Sequence, residues 1–289
     1  MIYNIDRRII YLFVAFALSL PLVLKTTLPP APMPTATAFY QEIEKIPEHD
    51  KRIVLVALDW GPNTQGENRP QTLGAIEHLM RKRIPFAVIT IYALAAPFLD
   101  EIPREVAAKL QAETGETWEY GKDWVNWGFK PNAMVMIQGI AKSKDIASDL
   151  KADAYSTPLE SIPVMNAVKT IHDISLLIEI TGLSGALSGW IQFFQGADYR
   201  PPFLHACTSI SIPEAFIYYS SKQLMGMFEG LAGAAWYDKL LSDAYPKREV
   251  GRALLINTSL AYAHLLIIGL IVLGNIGLLV SVIKKRRNR

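Results

Sequence analysis

The longest apolar stretches of the chain lie at its two ends. Residues 9–24 read IIYLFVAFALSLPLVL, free of charge, behind Arg7 and Arg8. Residues 261–283 read AYAHLLIIGLIVLGNIGLLVSVI and run straight into Lys284, Lys285, Arg286, Arg287 and Arg289. A helix needs about 20 mostly apolar residues to cross a hydrocarbon core of about 30 Å. The second stretch has that length. The first approaches it, with Tyr11 and Lys25 able to reach the interfaces. Lys and Arg beside a span are retained on the cytoplasmic side. The pattern therefore predicts transmembrane helices over 9–25 and 261–283, residues 1–8 and 284–289 in the cytoplasm, and everything between the spans outside it. A competing expectation for the first stretch is a cleaved signal peptide, with Ala36-Thr37-Ala38 as an A-x-A site, though this stands far beyond the apolar run.

Residues 26–50 contain Pro29, Pro30, Pro32 and Pro34 and predict a stiff extracytoplasmic spacer. From 51 to 245 short apolar runs alternate with helical patterns, and 246–260 connect to the second span. Strands are expected at 53–58, 86–92, 133–137, 174–180 and 203–206, each an apolar run. Helices are expected at 72–82, 103–113, 158–171 and 186–194, and a long glycine-interrupted one at 213–241. Strands apolar on both faces and separated by helices make a parallel sheet covered on each side. The expected fold is a doubly wound, mostly parallel, five-stranded α/β sheet. At that level alone it resembles flavodoxin-like and Rossmann-like domains, and such a fold does not carry a function.

Composition narrows the choice. The chain is 51% hydrophobic with a formal net charge of +2, and no basic stripe crosses its middle, which excludes a reader of nucleic-acid backbone. Its one cysteine, Cys207, excludes an internal disulfide framework. Its five histidines are scattered without ligand spacing, so neither a metal nor a cofactor is expected.

In such sheets ligands bind beyond the carboxyl ends of the strands, where strand order reverses. The segment from Asp59 to Pro70 reads as a long polar loop there, with Asp59, Asn63, Thr64, Glu67, Asn68 and Arg69; Gln138, Thr181 and Thr208 are expected to face it. Gly61 and Gly66 have the spacing of a phosphate loop, but Glu67 and Asn68 stand where Lys and Ser or Thr are needed. The blander expectation is that Asp59 and Asn63 cap turns. Gly182-Leu183-Ser184-Gly185-Ala186 approximates a nucleophile elbow, with Asp198 and His205 following, but Ala186 replaces the last glycine. Cys207 and His205 share a strand face and could form a thiol–imidazole pair, though a buried Cys is usually a small apolar residue.

Three further features point to contacts. Trp118, Tyr120, Trp124, Trp127 and Phe129 follow neither period and are expected to cover a sheet edge or form an aromatic surface. Gly226, Gly230 and Gly233 are expected to let one helix approach its neighbour closely. In the second span Asn275, beside Gly274 and Gly277, is expected to bond a neighbouring helix. Together these features predict a non-enzymatic, membrane-anchored subunit of a larger membrane assembly, its partners other membrane-protein subunits or itself. The alternatives are an extracytoplasmic small-ligand or sensor domain, the ligand unspecified, and a hydrolase using Ser184 or Cys207.

Overall fold

The computed structural model describes residues 6–48, 50–195 and 199–287. Asp198 and Arg289 therefore fall outside the described residues. The chain forms two units, one of residues 31–253 and one made from its two ends.

The larger unit is built on six strands: β1 (Ile53–Asp59), β2 (Phe86–Thr90), β3 (Trp124–Phe129), β4 (Ile174–Thr181), β5 (Phe203–Cys207) and β6 (Gly226–Glu229). All neighbouring pairs are parallel, in the order β3-β2-β1-β4-β5-β6. This is the order of a Rossmann-type sheet, and its direction of growth reverses between β1 and β4. Every residue of β1 and β4 is buried, which is why both read as unbroken apolar runs rather than alternating ones. One face is covered by α2 (Pro34–Glu44), α3 (Gln65–Arg81), α4 (Phe98–Thr114) and α9 (Gly230–Ala244). The other carries α5 (Ala133–Lys142), α6 (Ile146–Leu150), α7 (Ala186–Gly189) with the π turn Trp190–Phe194, and α8 (Ile212–Ser220).

Five expectations are corrected. The third strand is not at 133–137 but at Trp124–Phe129, inside the aromatic segment. Residues 133–142 are helical because Ile137, Ile140 and Ala141 bury at helical spacing. The period of β3 is hidden by a bulge: Val88 pairs Asn126, Ile89 pairs Gly128, and Trp127 is the extra residue. The long helix at 213–241 is instead α8, β6 and α9, so the sheet has six strands, not five. Gly230 turns the chain from strand to helix at φ +59°, and a Cβ on Gly226 would lie 2.3 Å from the Phe39 nitrogen. These glycines thus serve a strand edge and a turn, not one helix face. Residues 158–171 hold only 3-10 turns at Leu159–Ser161, Pro163–Met165 and Ile171–Asp173. Pro163 keeps Ile162 extended and breaks any longer helix. The spacer contains α2, with Pro34 in its first turn and Ala36, Phe39 and Ile43 in the core. Finally, α3 starts at Gln65, which shortens the long loop after β1 to residues 60–64.

The smaller unit contains α1 (Arg7–Leu24) and α10 (Arg252–Arg287). Both are long and apolar enough to cross a membrane, with mean hydropathies of 1.8 for Arg7–Leu24 and 2.7 for the most apolar 18-residue window of Arg252–Lys284. Asp6 caps α1 by accepting from the Arg8 nitrogen at 2.9 Å, and Lys25 ends it in the left-handed conformation. Beyond that end, the Leu28 nitrogen donates to Thr258 Oγ1 at 3.1 Å, tying the exit of α1 to the entry of α10.

Candidate functional site

Strand alternation places Asp59, Glu179, Thr181, His205 and Cys207 on one sheet face, toward α5 and the π turn. Asp59 ends β1 and is fully buried. Its Oδ1 accepts from Thr90 Oγ1 at 3.1 Å and the Ile91 nitrogen at 2.9 Å, and its Oδ2 accepts from Trp190 Nε1 at 2.8 Å. Burial, then the nearby charge of Glu179, pushes the Asp59 carboxyl up to about 7 against those three donors. On the next strands Glu179 Oε2 lies 2.7 Å from His205 Nδ1, both residues buried. Burial opposes the imidazolium, yet the charge of Glu179 and contact with Cys207 hold His205 up to about 9. The second oxygen of Glu179 is buried without a partner among the described residues.

The opposite side of the strand ends is closed by the first two turns of α3. Asn68 Nδ2 donates to the Thr181 carbonyl at 3.0 Å and to Gln71 Oε1 at 2.9 Å. Gln71 Nε2 donates to the carbonyls of Cys207 at 2.8 Å and Gly230 at 3.0 Å. Glu67 accepts from the backbone nitrogen of Ser209 at 2.9 Å and from its hydroxyl at 2.5 Å. Thr181 Oγ1 donates to the Asp59 carbonyl at 2.9 Å. The polar residues that looked like a ligand loop therefore satisfy the exposed ends of β4, β5 and the β6 turn. That obligation explains why α3 opens with buried polar side chains, which hid its first turns from a search for apolar periodicity.

The remaining sequence candidates are dispersed. Arg69 is buried but turned to α4, donating to Glu101 Oε1 at 2.7 Å and also pairing with Glu105. Asn63 is exposed, and Gln138 is exposed on α5 rather than facing the strand ends. Thr64 packs against Gly182, where a Cβ would meet its Oγ1 at 2.2 Å. Thr208 is buried just beyond β5. Ser184 is exposed in the turn after β4, whereas His205 is sealed within the sheet layer and engaged by Glu179. The Cys207 thiol is buried and donates to the Phe228 carbonyl at 3.7 Å. Trp118, Trp124 and Trp127 belong to the core, Tyr120 is half-buried, and only Phe129 of the expected aromatic surface is exposed. No group of three metal-ligating side chains occurs among the described residues.

Sequence reasoning missed Glu179, Gln71 and Trp190. A glutamate in the middle of the run ISLLIEIT was the available signal, since a lone charge within a fully buried strand needs a partner. The fold and site define a Rossmann-order α/β domain joined at both ends to long apolar helices. No family model, curated protein or solved structure matches the chain.

Proposed function

We propose that the protein is a non-enzymatic, membrane-anchored subunit of a membrane assembly, with its α/β domain as the interaction module. One observation carries this reading. The crevice where such sheets bind ligands is occupied by the chain's own side chains, Asn68, Gln71 and Trp190, while apolar residues stand exposed around it. Leu94 follows β2, Met134 and Val135 open α5 after β3, and Ile210, 89% exposed, follows β5; all four stand beyond the carboxyl ends of the strands, and apolar residues grouped at one edge favour a protein contact. A groove of about 200 Å³ between α5 and α6, lined by Met136, Ile140, Ile146 and Leu150, adjoins the same apolar helix.

The bond between Leu28 and Thr258 supports an antiparallel pair of spans. In such a pair Arg7 and Arg8 would leave the membrane on the same side as Lys284, Arg286 and Arg287, and their positive charge supports a topology with both ends in the cytoplasm and the domain on the other side. The test is purification of the full chain through a C-terminal tag in mild detergent. Copurifying membrane proteins, lost with Met134→Asp and Ile210→Asp at unchanged melting temperature, are expected. A lone monomer from every mild detergent refutes the proposal.

A second reading has its own observation. Thr64 Oγ1 and Asn68 Oδ1 are both buried without partners among the described residues, beside the β1–β4 switch point, which favours a small polar ligand there. It requires a metabolite screen to raise the melting temperature of the wild-type chain and not that of Asn68→Leu.

A further inference from the structure

The second span carries a feature that its hydropathy hides. Along α10 beyond Ser259 the described positions that are buried or half-buried are Ala261, Tyr262, Ala263, Leu266, Leu270, Gly277 and Ser281, and the last five form a single stripe. At about 100° per residue, His264, Ile268, Ile271, Asn275, Leu278 and Val282 fall on a second face, centred about 120° round the helix from that stripe. All six are exposed. Their spacing alternates four and three residues, the heptad repeat of a left-handed helix pair. Ile268, Asn275 and Val282 occupy one heptad position, and Ile271 and Leu278 the other.

Asn275 lies about 4.5 Å along the axis from the middle of 261–283. Its amide, with two donor hydrogens and an acceptor oxygen, has no hydrogen-bond partner among the described residues. In hydrocarbon no water can serve it, so a neighbouring helix must. An asparagine is complementary to itself: each amide donates to the other's oxygen across a two-fold axis. A single Asn among β-branched residues at one heptad position is the pattern that selects a parallel two-stranded pair. Copies of one chain enter a membrane in the same sense, so their α10 helices are parallel without further requirement.

We infer that α10 pairs with α10 of a second copy of this chain through a seam of Ile268, Ile271, Asn275, Leu278 and Val282, with the Asn275 amides bonded to each other. The inference rests on α10 being a membrane span and adds a homodimer to the assembly proposed above. Gly277, expected from the sequence to line this contact, lies instead on the covered stripe.

The experiment introduces single cysteines along 263–282 of the full-length chain and oxidises isolated membranes with copper phenanthroline. Native Cys207 is buried, so the wild-type chain sets the baseline. Ile268→Cys, Ile271→Cys, Leu278→Cys and Val282→Cys are expected to give disulfide-linked dimer severalfold above Leu266→Cys and Leu270→Cys. Adding Asn275→Leu to Ile271→Cys is expected to lower the dimer yield about threefold, and Asn275→Gln to preserve it. Equal yields around the helix, a maximum at Leu266 and Leu270, or crosslinks only to a different protein overturn the homodimer. Release of the chain from membranes by alkaline carbonate overturns the membrane-anchored reading itself, and is scored separately.

Discussion

The carboxyl of Asp59 gives the domain a pH dependence whose sign is unusual for an acidic residue. In an unfolded chain it ionises near 3.8; in the folded protein it ionises at about 7. Between those values the folded state keeps a proton that the unfolded state has lost. Its contribution is therefore fully present below about pH 4, and is lost as pH rises through 7. A difference of about three units corresponds to about 4 kcal/mol at 1.36 kcal/mol per unit. Some other groups act in separate windows. Glu77, held at about 2 mainly by Arg248 against its own burial, contributes stability above its unfolded value near 4.5 and loses it in stronger acid. His205, raised to about 9, contributes below 6.5 and loses that contribution as pH climbs to 9. From pH 4.5 to 6.5 Asp59 shares the window with His78, whose imidazole is held below its usual 6.5 by burial despite Glu44, so that its contribution is lost as pH falls and its slope has the opposite sign. The assay is urea unfolding of the full chain in a non-ionic detergent at half-unit pH steps, followed by tryptophan fluorescence. Asp59→Asn turns an amide N–H toward Trp190 Nε1, itself a donor, and so costs about 1–3 kcal/mol at low pH. The readout is the difference in slope, which removes the His78 contribution common to both: through the window wild type falls more steeply, or rises less, than Asp59→Asn. An unchanged slope in the variant, or one that falls more steeply than wild type, refutes the reasoning.

Two further substitutions test the packing. Gly226→Ala forces a methyl within 2.3 Å of the Phe39 nitrogen and 2.5 Å of its Cα, so α2 must shift off β6; a loss of about 2–3 kcal/mol in chemical unfolding is expected, against under 1 kcal/mol for Gly66→Ala, which meets nothing within 4 Å. Arg248→Ala leaves Glu77 without the 2.7 Å and 3.0 Å bonds that Arg248 supplies, and removes its 2.7 Å bond to Asp238. Glu77 keeps its bonds from Arg81 at 2.9 Å and 2.8 Å and from Lys109 at 3.3 Å, so a cost of about 1.5–3 kcal/mol is expected from the lost charge-assisted bonds, read as a lower urea midpoint at unchanged slope.

Which elements were legible in the sequence follows from what each has to bury. Strands β1, β2, β4 and β5 lie inside the sheet and are apolar on both faces, so their runs stand out from neighbouring polar turns. The edge strands did not stand out, for different reasons. In β3, Asn126 and the bulge at Trp127 break the run, and the asparagine is buried by bonding the Gly128 nitrogen at 2.9 Å. Strand β6 is only four residues long and opens with a glycine, so it merged with the helices around it. Helix α2 was masked by the prolines before it, although Pro34 at its start is a position proline favours. Of the polar residues expected in a ligand or partner loop, Asp59, Asn68 and Thr181 bond other parts of the chain. Spacing shows that Asp59, Asn68 and Thr181 gather at the strand ends; it does not show whether their hydrogen bonds point outward or into the backbone.

That last distinction decides how the domain should be understood. At the carboxyl edge of a parallel sheet, backbone carbonyls and helix N-termini are left without partners, and a bound ligand commonly supplies them. Here Asn68 and Gln71 reach three of those carbonyls, and Trp190 and Thr90 hold Asp59 in place. Gln71 donates to both Cys207 and Gly230, so its loss would leave two buried acceptors bare and couple β5 to the β6 turn only through their ladder. Those three carbonyls need no ligand. On the function proposed above, Ile210, Leu94, Met134 and Val135 beyond them would dock another protein, with little side-chain order left to lose where Asn68 and Gln71 are already bonded.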